Sequence, residues 1–192
     1  MATRVKPLAS ALRPTFFNAP TVNLRPGQTQ DITTINGPAI LKWAYFISAG
    51  DQGQAGFALR NNDPMGPSPL FPTPTGFGPN PGTVWIFPAL WVQFLQHPEL
   101  GFVTTGLPVS SSFTASTRYM AGAFNTDTSG NVNTQELAIS TSIYISGQVV
   151  VSVANFNKSI PSSIAIQVWA EVASMTQPNL IFAPGYSPVG EG

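Results

Sequence analysis

Hydrophobic and polar positions alternate most regularly in the last third of the chain. Ile139, Thr141, Ile143 and Ile145 are separated by Ser140, Ser142, Tyr144 and Ser146, and after Gly147 the odd positions Val149, Val151 and Val153 continue the pattern. In the next run the even positions Ile164, Ile166, Val168, Ala170 and Val172 are apolar, while Gln167, Trp169 and Glu171 share the opposite face. A period of two sends successive side chains to opposite faces of a strand, so two or three half-buried antiparallel strands are expected here.

Earlier segments are shorter and more interrupted. A polar, β-branched run lies at Asp31–Ile35, a turn signal at Asn36-Gly37-Pro38, and strand-like runs at Ala39–Ser48 and Ala55–Leu59. Residues 61–83 hold seven Pro and four Gly among 23 positions and read as a long loop. Its Leu70, Phe71 and Phe77 make it an expected contact surface. The apolar stretch 84–96 is split by Pro88 and fits either two short strands or a strand followed by a short helix. Residues 112–124 read as one strand and Asn125–Asn133 as a loop around Ser129-Gly130. Short strands punctuated by Pro and Gly, with almost no helical period, indicate an all-β chain: a single antiparallel β-sandwich of jelly-roll type. Pro7, Pro14, Pro20 and Pro26 bar a long helix near the start. The expected organisation is therefore an extended, mobile arm at 1–27 and a jelly-roll body at 28–192.

Composition narrows the function. Only 8% of the 192 residues are charged, against about a quarter in ordinary soluble domains. A surface so poor in charge tends to associate, which points to obligate self-assembly. The charges are also unevenly placed. Arg4, Lys6, Arg13 and Arg25 stand in the first 30 residues with no acid, whereas Lys42, Arg60, Arg118 and Lys158 face eight acids beyond. A basic arm suits nucleic acid, because each cation displaces counterions condensed on phosphate.

Catalytic chemistry is sparse. There is no cysteine, and His97 is the sole histidine, set in a polar, turn-like Gln96-His97-Pro98-Glu99. A loop histidine is the expected reading, and no enzyme activity is expected. Gly76-Phe77-Gly78 lacks the third glycine of a nucleotide fingerprint. Asp127-Thr128-Ser129-Gly130-Asn131 reads as a polar hairpin turn, without the acidic density of a calcium loop. No cofactor is expected. Calcium shared between copies is left open, with Asp51, Asp63 and Glu171 as carboxylates that assembly could bring together. Among the aromatics, Trp43 and Trp85 are expected in the core. Trp169, beside Gln167 and Glu171 on the face opposite the Ile/Val row, is expected at a subunit interface or ligand contact.

The run GQVVVSVANFNKSIPSSIAIQVWAEVASMTQP resembles the last two strands of the jelly-roll coat proteins of small icosahedral RNA viruses, the sobemovirus and tombusvirus groups and their satellites. The matching positions are Val149–Val153, the polar loop Asn155–Pro161, the Ile166–Val172 strand with its Trp169, and Pro178. RYMAGAFNTDTSG at 118–130 resembles more loosely the strand and acidic loop before them. The resemblance implies a capsid subunit that assembles in many copies, in the host cytoplasm, into an icosahedral virion shell around a genome, most naturally RNA. Arg4, Lys6, Arg13 and Arg25 would then contact nucleic acid, and Leu70, Phe71, Phe77, Trp169 and Glu171 the neighbouring subunits. No membrane partner is expected. The alternative is a trimeric β-sandwich surface head or carbohydrate-binding module, with the aromatics as ligand sites.

Overall fold

A computed structural model describes residues 12–61, 85–97, 99, 103–145 and 147–173. Arg4, Lys6, Asp63, Leu70, Phe71, Phe77 and Pro178 lie outside the described residues. The chain forms β1 (Leu12–Asn18), β2 (Val22–Leu24), β3 (Thr29–Asn36), β4 (Ala39–Ala49), β5 (Ala55–Asn61), helix α1 (Pro88–Gln96), β6 (Ser112–Ser116), β7 (Met120–Thr126), β8 (Val132–Ile145), β9 (Gln148–Asn155) and β10 (Ser162–Ala173). The fold is all-β, with antiparallel sheets. One has seven strands in the order β1-β10-β4-β8-β7-β6, with β2 also on β10; the other has the order β3-β9-β5.

Both sheets contribute to one apolar cluster. Ile164, Ile166, Val168 and Ala170 of β10, Leu41 and Phe46 of β4 and Leu137 and Ile139 of β8 meet Ile35 of β3, Phe57 of β5 and Val149, Val151 and Val153 of β9. Phe46 stacks on Phe57 with ring centres 5.1 Å apart, joining the sheets through their two largest buried side chains. The alternation read in β9 and β10 thus has its inward half in the core, where burying each large side chain contributes about 1.5–3 kcal/mol.

The chain start departs from the expected arm. Leu12 pairs with Ala173 and Asn18 with Gln167, and then Val22 with Ile164 and Leu24 with Ser162. Residues 12–24 therefore run as one interrupted edge strand along β10, with Phe17 against the core and Leu24 within it. The prolines that forbid a helix permit this course, since an edge strand needs only one row of backbone bonds. Sheet pairing begins well before residue 28.

Two local readings also change. The single strand expected at 112–124 is a hairpin, β6 and β7, turned at Thr117-Arg118-Tyr119, where Thr117 N–H donates to the Met120 carbonyl at 2.7 Å. That turn carries neither Gly nor Pro, so no local signal marks it. The loop expected at 125–133 shrinks to a tight turn. Asp127 Oδ1 accepts the N–H groups of Ser129 (2.8 Å) and Asn131 (2.9 Å), and these donors hold its carboxyl below the usual range. Gly130 there has φ +73°, and a Cβ would meet the Leu107 carbonyl oxygen.

At 84–96 the second alternative holds: Ile86 bridges to Phe57 of β5, and α1 follows directly. Gly56 makes this crossing possible, because a Cβ there would stand 2.8 Å from the Ile86 carbonyl oxygen. Helix α1 starts on Pro88 and has no side-chain cap of its own. Instead the buried Gln135 of β8 accepts the Ala89 N–H at 2.9 Å, supplying from another element what a cap would provide. Val92 packs onto Gly122 of β7, in a second small cluster with Leu107, Phe124 and Val132.

A buried polar hub ties one end of the molecule together. Asp51, in the β4–β5 turn, accepts from Ala55 N–H (3.2 Å), Gln135 Nε2 (3.0 Å) and Ser162 Oγ (2.8 Å). Asn157 donates to the Asp51 carbonyl, and Asn155 donates to the carbonyls of Leu24, Arg25 and Ile160. With its carboxylate oxygens so engaged and 1% of the residue exposed, Asp51 is withdrawn from any intersubunit cation.

Candidate subunit interface

The outer face of the seven-stranded sheet carries an aromatic row. Trp169 stands in register between Phe16 of β1 and Trp43 of β4. Its ring stacks on Phe16 at 5.6 Å, nearly parallel, and Trp43 stacks on Tyr45 at 5.9 Å. Trp169 thus lies on the face opposite the buried Ile/Val row, as its sequence neighbours imply. Trp43 does not join the core as expected. It is half-buried on this outer face, because the register slips between Leu41 and Trp43 and inverts the alternation of β4.

The slip has a polar mate. Lys42, at the irregularity, pairs with Glu171 Oε2 of β10 at 3.5 Å and donates to Ser142 Oγ of β8 at the same distance. Farther along, the Tyr45 hydroxyl donates to Glu136 Oε2 of β8 at 2.5 Å. Burial first, then the hydrogen bond and the charge of Glu136, push the Tyr45 phenol up to about 12. Trp169, Trp43 and Tyr45 therefore lie between two anchored carboxylates, with Ile47 exposed beyond Tyr45 and Tyr144 exposed at the far end of the Glu171 row.

Exposure separates this face from the core. Phe16 is 70% exposed, although its ring already covers one side of Trp169. The Trp169 indole N–H is shielded from solvent and has no hydrogen-bond partner among the described residues. A contiguous row of large apolar rings is the kind of surface that marks a contact site, whereas scattered single side chains are ordinary. Tryptophan and tyrosine in such a row supply area at small entropic cost and form binding hot spots.

The other candidate residues are dispersed. Arg13 and Arg25, both exposed, sit at opposite ends of the β1–β2 edge, roughly 40 Å apart at the rise of an extended strand. Arg25 shares its end with Lys158, since Gly27 N–H donates to the Asn157 carbonyl. His97 lies just past α1, its Nδ1 3.0 Å from Glu99 Oε1 and its ring edge-on to Phe113. Trp85 is buried as expected, against Phe156. Among the described residues no three carboxylates or imidazoles gather as a metal site. The residues missed in sequence are Phe16, Trp43 and Tyr45, whose shared face depends on the strand register. No protein-family model matches the chain, and a search of curated proteins finds no similar sequence.

Proposed function

We propose that the chain is a capsid subunit with a jelly-roll sandwich body, assembling in many copies into an icosahedral shell around a genome. The observation that carries this reading is the strand order. From β2 onward, one sheet runs β2-β10-β4-β8 and the other β3-β9-β5 followed by the Ile86 bridge. The chain passes between these sets at β2 to β3 to β4 to β5 and again at β8 to β9 to β10. That interleaving supports the connectivity of two nested Greek keys, in which β1 extends one edge and the β6–β7 hairpin adds to another.

The aromatic face and the scarcity of charge support self-association. Trp169 and Glu171 are its proposed contact residues, joined by Leu70, Phe71 and Phe77. The role is structural and without catalysis. Arg4, Lys6, Arg13 and Arg25 are proposed to meet nucleic acid; four cations neutralise little of it, so protein contacts dominate shell stability in this reading. Electron microscopy of the purified chain tests the assignment. Closed spherical particles are expected from the purified chain, as virions are proposed to form in the host cytoplasm; discrete trimers would favour a surface head or carbohydrate-binding module, and a persistent monomer would overturn both.

A further inference from the structure

The edges of the two sheets are not alike. The β1–β2 edge carries Pro14 and is broken at Pro20, which remove backbone donors. The β3 edge is bulged between Asp31 and Thr33 and charged by the Asp31–Arg60 pair. The outer edge of β5 is covered by Ile86, which exchanges two backbone hydrogen bonds with Phe57. Strand β6 has none of these devices. Its sequence Ser-Phe-Thr-Ala-Ser contains no charge and no proline, its ladder with β7 is regular, and among the described residues no strand lies on its other side. An unguarded edge is a template for another strand.

We infer that β6 pairs with β6 of a second copy, antiparallel about a two-fold axis through Thr114. The backbone groups of Ser111 and Thr117 bond toward β7, through Thr126 N–H to the Ser111 carbonyl and Thr117 N–H to the Met120 carbonyl. By alternation those of Ser112, Thr114 and Ser116 face the free side. Centring on Thr114 sets Thr114 opposite itself and Ser112 opposite Ser116, so outward-facing groups meet outward-facing groups in both copies. On one face hydroxyl side chains oppose hydroxyl side chains; on the other, Phe113 opposes the smaller Ala115. The strand is therefore complementary to itself. The same axis brings the Val109 end of one copy, where Val109 is 57% exposed, to the Tyr119 end of the other, where Tyr119 is 52% exposed. The occupant is a second copy, joined by an isologous contact that extends the sheet across both.

The absence of cysteine gives a clean test. Hydrogen-bonded antiparallel partners stand about 5.5 Å apart at Cα, within disulfide reach. Thr114→Cys is expected to give covalent dimer as its main product, two thiols passing two electrons and two protons to added oxidised glutathione. Ser112→Cys and Ser116→Cys should each cross-link poorly alone and well when mixed, because only the mixture sets the two thiols opposite. Ser129→Cys, in the exposed β7–β8 turn, is the control for random collision. Independently, Thr114→Lys and Thr114→Asp should each weaken association, and mixing them should restore it. Thr114→Cys yielding no more dimer than Ser129→Cys, in chains with unchanged circular dichroism, would overturn the contact. The pairing does not rest on the shell. Closed particles without this cross-link would sink β6 pairing alone, and cross-linked dimers that never close would sink the shell alone.

Discussion

Tyr45 is held by two neighbours at once, the stacked ring of Trp43 and the carboxylate of Glu136. Its pKa in the folded chain, pushed up to about 12, exceeds its ordinary value of 10. The folded state therefore holds the phenolic proton more tightly than the unfolded state. Its contribution to stability is intact below pH 10 and fades as pH rises from about 10 through 12. Phenolate absorbance during alkaline titration is expected to show one late step, absent from Tyr45→Phe. Trp169 makes a different demand. Trp169→Ala leaves the Ile164, Ile166, Val168 and Ala170 row in the core untouched, so β-sheet circular dichroism should persist. Self-association should weaken by about 2 kcal/mol or more, as for a hot-spot anchor, and sedimentation measures it. Loss of sheet signal together with association would instead make Trp169 part of what holds the fold.

Among the elements, the hub around Asp51 binds the turn after β4, the start of β8, the β9–β10 loop and β10 itself. Asp51→Ala strands the Ala55 N–H and the Ser162 hydroxyl in a dry site, at roughly 2–3 kcal/mol in all. Asp51→Asn keeps an acceptor for Ala55 and should cost distinctly less; urea midpoints of the two variants measure the difference. None of this was legible in sequence, because buried Asp, Gln and Asn look like turn residues until their partners from distant segments arrive. Strand β10 was legible, since one face is core and the other is not, and a period of two reports that directly; β9 alternates in sequence but is buried on both faces, Ser152 and Ala154 as fully as Val151 and Val153. Trp43 was misread for the opposite reason: β4 is apolar on both faces and its alternation breaks at Lys42. The β6–β7 turn, built from Thr117 hydroxyl and backbone contacts, carries no glycine to betray it.

For the whole molecule, the first 27 residues are two regions with different consequences when removed. Deleting 1–11 takes away Arg4 and Lys6 and leaves β1 and β2 on β10. Folding should survive, and any shells formed should hold less nucleic acid by their ultraviolet absorbance ratio. Deleting 1–27 also removes Phe16, Phe17 and the fully buried Leu24 and bares the edge of β10. Loss of one buried leucine side chain alone costs about 2–5 kcal/mol, so this longer truncation should yield insoluble or unfolded chain. Unchanged solubility of the longer deletion would show that the strand adds little to the sheet.

The slip at Lys42 belongs to three strands together. Between the same two levels of the sheet, β10 advances from Trp169 to Ala170, β4 from Trp43 to Leu41, and β8 from Ser140 to Ile143, which are one, two and three steps. Each strand is thus one residue longer than its neighbour, so a deletion confined to β4 cannot simply straighten it: the mismatch removed on the β10 side reappears doubled on the β8 side. Diverging descendants of this chain should accordingly keep the lengths of these segments even where their side chains change. Where a gap does enter β4, an aligned gap should be found in β8, a pattern of paired losses by which distant kin can be recognised after residue identity has faded.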